Sequence, residues 1–190
     1  MGYRGYRSAY SVLGIILVNT LLFIAELARE DLIFSLGLRP VAWLDSPWTM
    51  VTSLFVHAGI GHIATNMLGL YFFGTFLTVL LGEAKFLLIY FLGGIAGGLV
   101  FVLLASPNSI AVGASGAIFA VGGALAVIRP KLRAYAFPIP FPVPIWALLL
   151  GDFAFVSFIP RVAWQAHLGG LVLGVIAGYF LGKRQRAVPL

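Results

Sequence analysis

The stretch WQAHLGGLVLGVIAGYFL, Trp164 to Leu181, decides how the rest of the chain is read. It holds no charged residue and, at about 1.5 Å per residue, nearly spans the roughly 30 Å hydrocarbon core of a bilayer. Gly170, Gly174, Gly178 and then Gly182 recur at every fourth position. Such a small-xxx-small ridge lets two transmembrane backbones pack closely. His167 lies three residues before Gly170 and seven before Gly174, so it projects from the ridge face. An imidazole on the contact face of a membrane helix asks for a partner on the next helix.

Composition extends this reading to the whole chain. Of 190 residues, 61% are hydrophobic and 9% charged, against roughly 25% charged in an average soluble domain. A water-soluble globule is excluded. Five further apolar segments, about Tyr10 to Ala28, His57 to Leu81, Phe86 to Ala105, Ala114 to Ile128 and Val143 to Ile159, join the one above. The six use about 120 positions, which leaves no room for a separate soluble domain. The predicted fold is an all-α integral membrane protein, six transmembrane helices in a single domain over residues 1–190. Tyr10 to Ala28 follows Arg4 and Arg7 as a signal peptide would, but it is long and lacks a small-x-small cleavage site, so it reads as a retained first helix. Arg29 to Thr52, broken by Pro40 and Pro47 and carrying Trp43 and Trp48, is expected to lie in the headgroup region between the first two helices. Pro138, Pro140, Pro142 and Pro144 predict a stiff extended entry to the fifth.

The net charge of +6 comes from short clusters of Lys and Arg between apolar runs. No helix face gathers them, so the basicity reads as a topology signal and nucleic acid is not an expected partner. Six spans place both termini on one side. That side collects Arg4, Arg7, Lys85, Arg129, Lys131, Arg133, Lys183, Arg184 and Arg186, and the other holds Arg29, Arg39 and Arg161. The excess marks the first side as cytoplasmic. With no Cys in the chain, disulfides, thiolate catalysis and Cys-ligated metal sites are excluded.

Polar groups inside the spans are costly, on the order of 2.5–3.5 kcal/mol for Asp, so each needs a reason. Glu26, His57, His62, Asn66, Ser115, Asp152 and His167 stand out. Ser115 is 14 residues above Arg129 and His167 is 16 above Lys183, which places them roughly 21 and 24 Å above the inner edge. His62 and Asn66, four apart, share one face of the second helix and can point at the same layer. The glycine ridge brings the sixth helix close to the fourth, where Gly122 follows Ser115 by seven residues. A hydroxyl and an imidazole then meet near the outer ends of two helices, the minimum apparatus of a serine nucleophile with a histidine base. Side-chain N–H groups of His62 and Asn66, and backbone N–H groups at Ala114 and Ser115, can serve an oxyanion.

These residues resemble the rhomboid intramembrane serine proteases. Three motifs carry the resemblance: His57-Ala58 through His62 to Asn66 on the second helix, Gly113-Ala114-Ser115-Gly116 opening the fourth, and Ala166-His167 followed by Gly170 and Gly174 on the sixth. The resemblance implies a Ser115–His167 dyad without an acid, with His62 and Asn66 helping the Ser115 backbone N–H stabilise the oxyanion. It implies cleavage of single-pass or multi-pass membrane proteins within or near their transmembrane helices, with the bilayer as surroundings and no cofactor or metal. Two positions depart from the family's usual pattern: Thr49 follows Trp48 where Arg is common, and Phe119 stands where Tyr is common, able to stack on His167 without the hydroxyl.

Other readings stand beside this one. Ser115 in a run of small residues and His167 on a ridge are each compatible with packing alone. A metal site would need ligands that converge, but the five-residue step from His57 to His62 turns them to different faces. His57, nearer the surface, suits a structural or loop-anchoring role. Glu26 is expected to snorkel or pair with Arg29. Asp152 is expected to be hydrogen-bonded or protonated, and a triad position behind His167 stays open. A transporter would spread polar residues across the bilayer, whereas here they gather in the outer half. The alternative function is a non-catalytic rhomboid-like binder of membrane proteins, although such a pseudoprotease would be expected to lack the serine or the histidine. The small core, without appended domains or a transit peptide, suggests a bacterial or archaeal plasma membrane; oligomeric state and substrate identity are not legible.

Overall fold

A computed structural model describes residues 9–29, 31–135, 138–160 and 162–182. Arg4, Arg7, Arg161, Lys183, Arg184 and Arg186, half of the cations used for orientation, lie outside the described residues. Among the described residues the fold is all-α apart from one two-residue strand pair. Helix α1 (Tyr10–Ala28) is followed by the short helices α2 (Asp31–Leu36) and α3 (Thr49–Thr52). Helix α4 (Ile60–Gly69) runs through a π-helical turn, Leu70–Gly74, into α5 (Thr75–Leu81). Then come α6 (Glu83–Leu104), α7 (Ser115–Ile128), strands β1 (Arg133–Ala134) and β2 (Val143–Pro144), α8 (Ile145–Ser157) and α9 (Trp164–Gly182). Among the described residues four helices can cross a membrane by length and composition: α1, Ile60–Leu81, α6 and α9; α7 and α8 are shorter and also apolar.

Helix α7 is the axis of the molecule. Every residue from Gly116 to Leu125 is buried, as expected of a helix that is apolar all round. Its most extensive partners are α9 and α6. The ridge on α9 does what its spacing predicts: a Cβ added at Gly170 would run into the carbonyl of Gly116, one at Gly174 into that of Ala120, and one at Gly178 into that of Ala124. The facing stripe is therefore Gly116, Ala120 and Ala124, not Gly122. Gly122 receives Leu149 of α8 instead. The difference has a simple cause: a ridge stepping by four seats against another four-step row of small residues, while Ser115 and Gly122 lie on the adjoining face. The glycines of α6 extend the pattern, with Gly93 against Ala120 and Gly97 against the carbonyl of Ala166.

The connecting segments are folded. Leu38 and Ala111 exchange backbone hydrogen bonds of 3.0 and 2.8 Å, and Val41 N–H donates to Pro107, joining the segment after α1 to the one after α6. Leu38, Met50, Phe101 and Ala111 form a small core under this cover, with Trp43 packed on it and Trp48 half exposed. Thr49, in the place where Arg is common, is buried and its Oγ1 donates to the Ser46 carbonyl at 2.6 Å. Val143–Pro144, expected as a free extended entry to α8, is paired antiparallel with Arg133–Ala134.

Glu26 pairs differently from expectation. Arg29 is taken by Asp31, 2.6 Å away, and its hydrogen bond holds the exposed Asp31 carboxyl below the usual range. Glu26 is buried and accepts the backbone N–H of His57 at 3.1 Å, fastening the entry of α4 to the end of α1. Asn19, a buried polar group that the sequence reading passed over, donates to the Ile15 carbonyl of its own helix.

Two stability predictions follow from this packing. Gly174→Leu drives a side chain into the α7 backbone and should lower unfolding stability in detergent micelles by about 3 kcal/mol or more, while Gly14→Ala, which meets open space, should leave the transition unchanged. Glu26→Ala strands a buried N–H and should cost about 1–3 kcal/mol in the same melt, with Glu26→Gln, still an acceptor, retaining most of it.

Candidate functional site

Gly113 has φ +107°, a conformation that favours glycine. It turns the chain from the segment after α6 into α7, and its N–H donates to the Ser53 carbonyl at 2.8 Å. A Cβ there would sit 2.6 Å from His62 Nε2. This glycine therefore does two things: it makes the turn that starts α7 at Ser115, and it lets the His62 ring lie against that turn. The motif Gly113-Ala114-Ser115-Gly116 does not by itself assign Gly113 this role; a glycine two residues before a candidate nucleophile at a helix start is the signal for it.

Ser115 is the first residue of α7, so the N–H groups of that first turn have no acceptor within the helix. Its Oγ lies 2.7 Å from His167 Nε2 on the first turn of α9. His167 is buried, and Nδ1 has no hydrogen-bond partner among the described residues. Phe119, one turn along from Ser115, stacks on the imidazole with centroids 4.7 Å apart at 26° and is itself braced edge-on by Phe153. The ring is thus positioned by an aromatic face and a hydroxyl, with no carboxylate behind it. Asp152 lines the same cavity but its side chain is exposed and does not reach Nδ1. The triad arrangement left open by the sequence is absent because α8 presents Asp152 to the cavity rather than to the rear of His167.

His62 and Asn66 come to the same place from α4. Ala58 N–H donates to His62 Nδ1 at 3.4 Å, a long bond, and that tautomer leaves the proton on Nε2, the atom beside Gly113. Asn66 is buried, and its Nδ2 donates to the His62 carbonyl at 2.8 Å, which leaves the second amide hydrogen uncommitted. His57, expected nearer the surface, is buried; its ring packs edge-on to His62 at 5.1 Å, and its contact with Glu26 is made by the backbone N–H rather than by the imidazole. Ser115, His167, His62 and Asn66 all line one cavity of about 550 Å³, to which Phe155 and Val156 of α8 also contribute. Among the described residues no three metal-ligating side chains converge.

A hydroxyl hydrogen-bonded to an imidazole, with N–H donors grouped beside it in a cavity, is the kind of arrangement that acyl transfer uses. Similarity points the same way. Residues 44–184 match the model of the Rhomboid domain family. The chain is 31% identical over 151 residues to the yeast Rhomboid protein 1, mitochondrial (Saccharomyces cerevisiae), covering 74% of this chain and 44% of that protein. It is 32% identical over 165 residues to Rhomboid protease GluP of Bacillus subtilis (86% and 30%) and 36% over 154 residues to RHOMBOID-like protein 12, mitochondrial, of Arabidopsis thaliana (68% and 45%). The chain spans less than half the length of these curated relatives. Their sources include a bacterium, a yeast and a plant, so a small core does not point to the bacterial or archaeal plasma membrane expected from sequence. With its membrane helices and the matched domain covering most of its length, the chain belongs to the rhomboid family.

Proposed function

We propose that the chain is an intramembrane serine endopeptidase that cuts transmembrane segments of other membrane proteins near the outer face. The observation that carries this reading is the 2.7 Å contact between Ser115 Oγ and His167 Nε2 in a cavity lined by α4, α7, α8 and α9. The proposed domain is one six-crossing unit over residues 1–190, with α7 and α8 as the short fourth and fifth crossings and both termini cytoplasmic. Short crossings leave the site near one surface, where water can reach it.

A substrate helix enters between α4 and α8, the second and fifth crossings, which both line the cavity. A stretch with Gly, Ala or Pro unwinds there, because a regular helix shields its carbonyls. Ser115 Oγ attacks the carbonyl carbon as neutral His167 Nε2 takes the hydroxyl proton. The oxyanion is met by the Ser115 backbone N–H with His62 and Asn66. His167 then gives its proton to the leaving amine nitrogen, and the C–N bond breaks. Water, deprotonated by His167, attacks the acyl carbon; His167 returns that proton to Ser115 Oγ as the ester C–O bond breaks, and the new acid leaves and ionises. No cofactor takes part. Phe119 and the absence of a carboxylate behind Nδ1 make this a dyad whose base is oriented by stacking.

Cleavage of a single-pass reporter in reconstituted vesicles tests the roles. Ser115→Ala and His167→Ala should each lower the rate by about 1,000-fold or more. His62→Ala should cost about 100- to 1,000-fold, as loss of one oxyanion donor does. Asp152→Asn should cost far less than the about 10⁴-fold of a triad aspartate. Wild-type cleavage by Ser115→Ala would contradict the proposal and favour a binder that does not cut.

A further inference from the structure

The catalytic cavity is not the largest in the molecule. A groove of about 930 Å³ opens between the C-terminal half of α7, the start of α8 and the middle of α9. Its walls are apolar, with Leu149 and Leu150 from α8 and Leu171 and Val175 from α9. Its mouth is different: Arg129, Lys131 and Arg133 come from the short turn and strand that follow α7, and no acidic residue is among the described residues that line the groove. Trp146, half exposed on the first turn of α8, stands at the same level. The turn is fixed where it is by β1–β2 pairing and by Ile145 N–H donating to the Leu132 carbonyl at 3.0 Å. Three cations are thereby held beside an apolar slot at one end of the membrane helices.

We propose that this groove binds an anionic phospholipid, with an acyl chain along Leu149, Leu150, Leu171 and Val175 and the phosphate against Lys131 and Arg133. Charge complementarity selects the occupant. A neutral transmembrane helix or a zwitterionic lipid would fill the slot and bring Lys131 and Arg133 no net counter-charge, whereas a headgroup of net negative charge supplies one. Basic pockets between membrane helices hold anionic headgroups in this way. Trp146 sits where an interfacial indole packs beside the ester region. The site lies at the opposite end of α7 from Ser115, and its occupancy does not depend on whether the chain is catalytic.

Native mass spectrometry of the purified full chain in detergent tests it, with phosphatidylglycerol and phosphatidylcholine of identical acyl chains and inorganic phosphate as separate probes. Preferential retention of one phosphatidylglycerol is expected. Lys131→Gln with Arg133→Gln, both exposed, should weaken that retention about thirtyfold, taking about 1 kcal/mol per cation. Val175→Phe, which fills the slot, should weaken it as well, with circular dichroism confirming that the helices remain. Equal retention of the two lipids overturns the proposal, as does unchanged affinity in the double variant. Inorganic phosphate binding as tightly as phosphatidylglycerol also overturns it, because the apolar walls would then contribute nothing.

Discussion

Backbone contact between α7 and α9 is the constraint on which the rest of this structure depends. Without a hydrophobic drive between helices in lipid, association rests on close van der Waals packing and interhelical hydrogen bonds. The glycines at 170, 174 and 178 remove the side chains that would hold the helices apart, and Gly116, Ala120 and Ala124 offer the matching row. That approach sets how far His167 can be from Ser115. A helix separation larger by the width of one methyl group would break a 2.7 Å contact between side chains as short as serine and histidine. The Ser115–His167 contact is therefore a consequence of the packing.

A second constraint acts at the start of α7. The turn at Gly113 sets Ser115 at a helix N-terminus with its N–H groups open, and the same glycine admits the His62 ring. Glu26, buried on α1, ties down the entry of α4 through the His57 N–H, so the histidine-bearing end of α4 is held from behind. Four helices distant in sequence, α4, α7, α8 and α9, thus line one cavity. The carboxylate of Asp152 faces that cavity without joining the base.

How much of this was legible in the sequence depends on whether a local pattern carried the information. Six apolar runs, the four-step glycine ridge and the equal depths of Ser115 and His167 are periodic or countable, and they led to the fold class and to the paired side chains. The stacking of Phe119 on His167 followed from its place one turn along from Ser115. Gly122 was assigned to the wrong neighbour because spacing alone shows which residues share a face of one helix, not which helix that face meets. Glu26 was matched with the nearest cation in sequence, whereas its true partner is a backbone N–H brought in by the chain 31 residues later. The pairing of Val143–Pro144 with Arg133–Ala134, and the folded cover between α1 and α4, depend on contacts between segments that no local pattern encodes.

The most direct test of an activated serine is intact-mass analysis of the folded protein after exposure to a fluorophosphonate, with peptide mapping and a His167→Ala control. One adduct, on Ser115, that disappears in the control is the expected result. An unmodified Ser115 in protein whose fold is verified, or equal labelling when His167 is replaced, would contradict the claim that the imidazole on α9 activates the hydroxyl on α7.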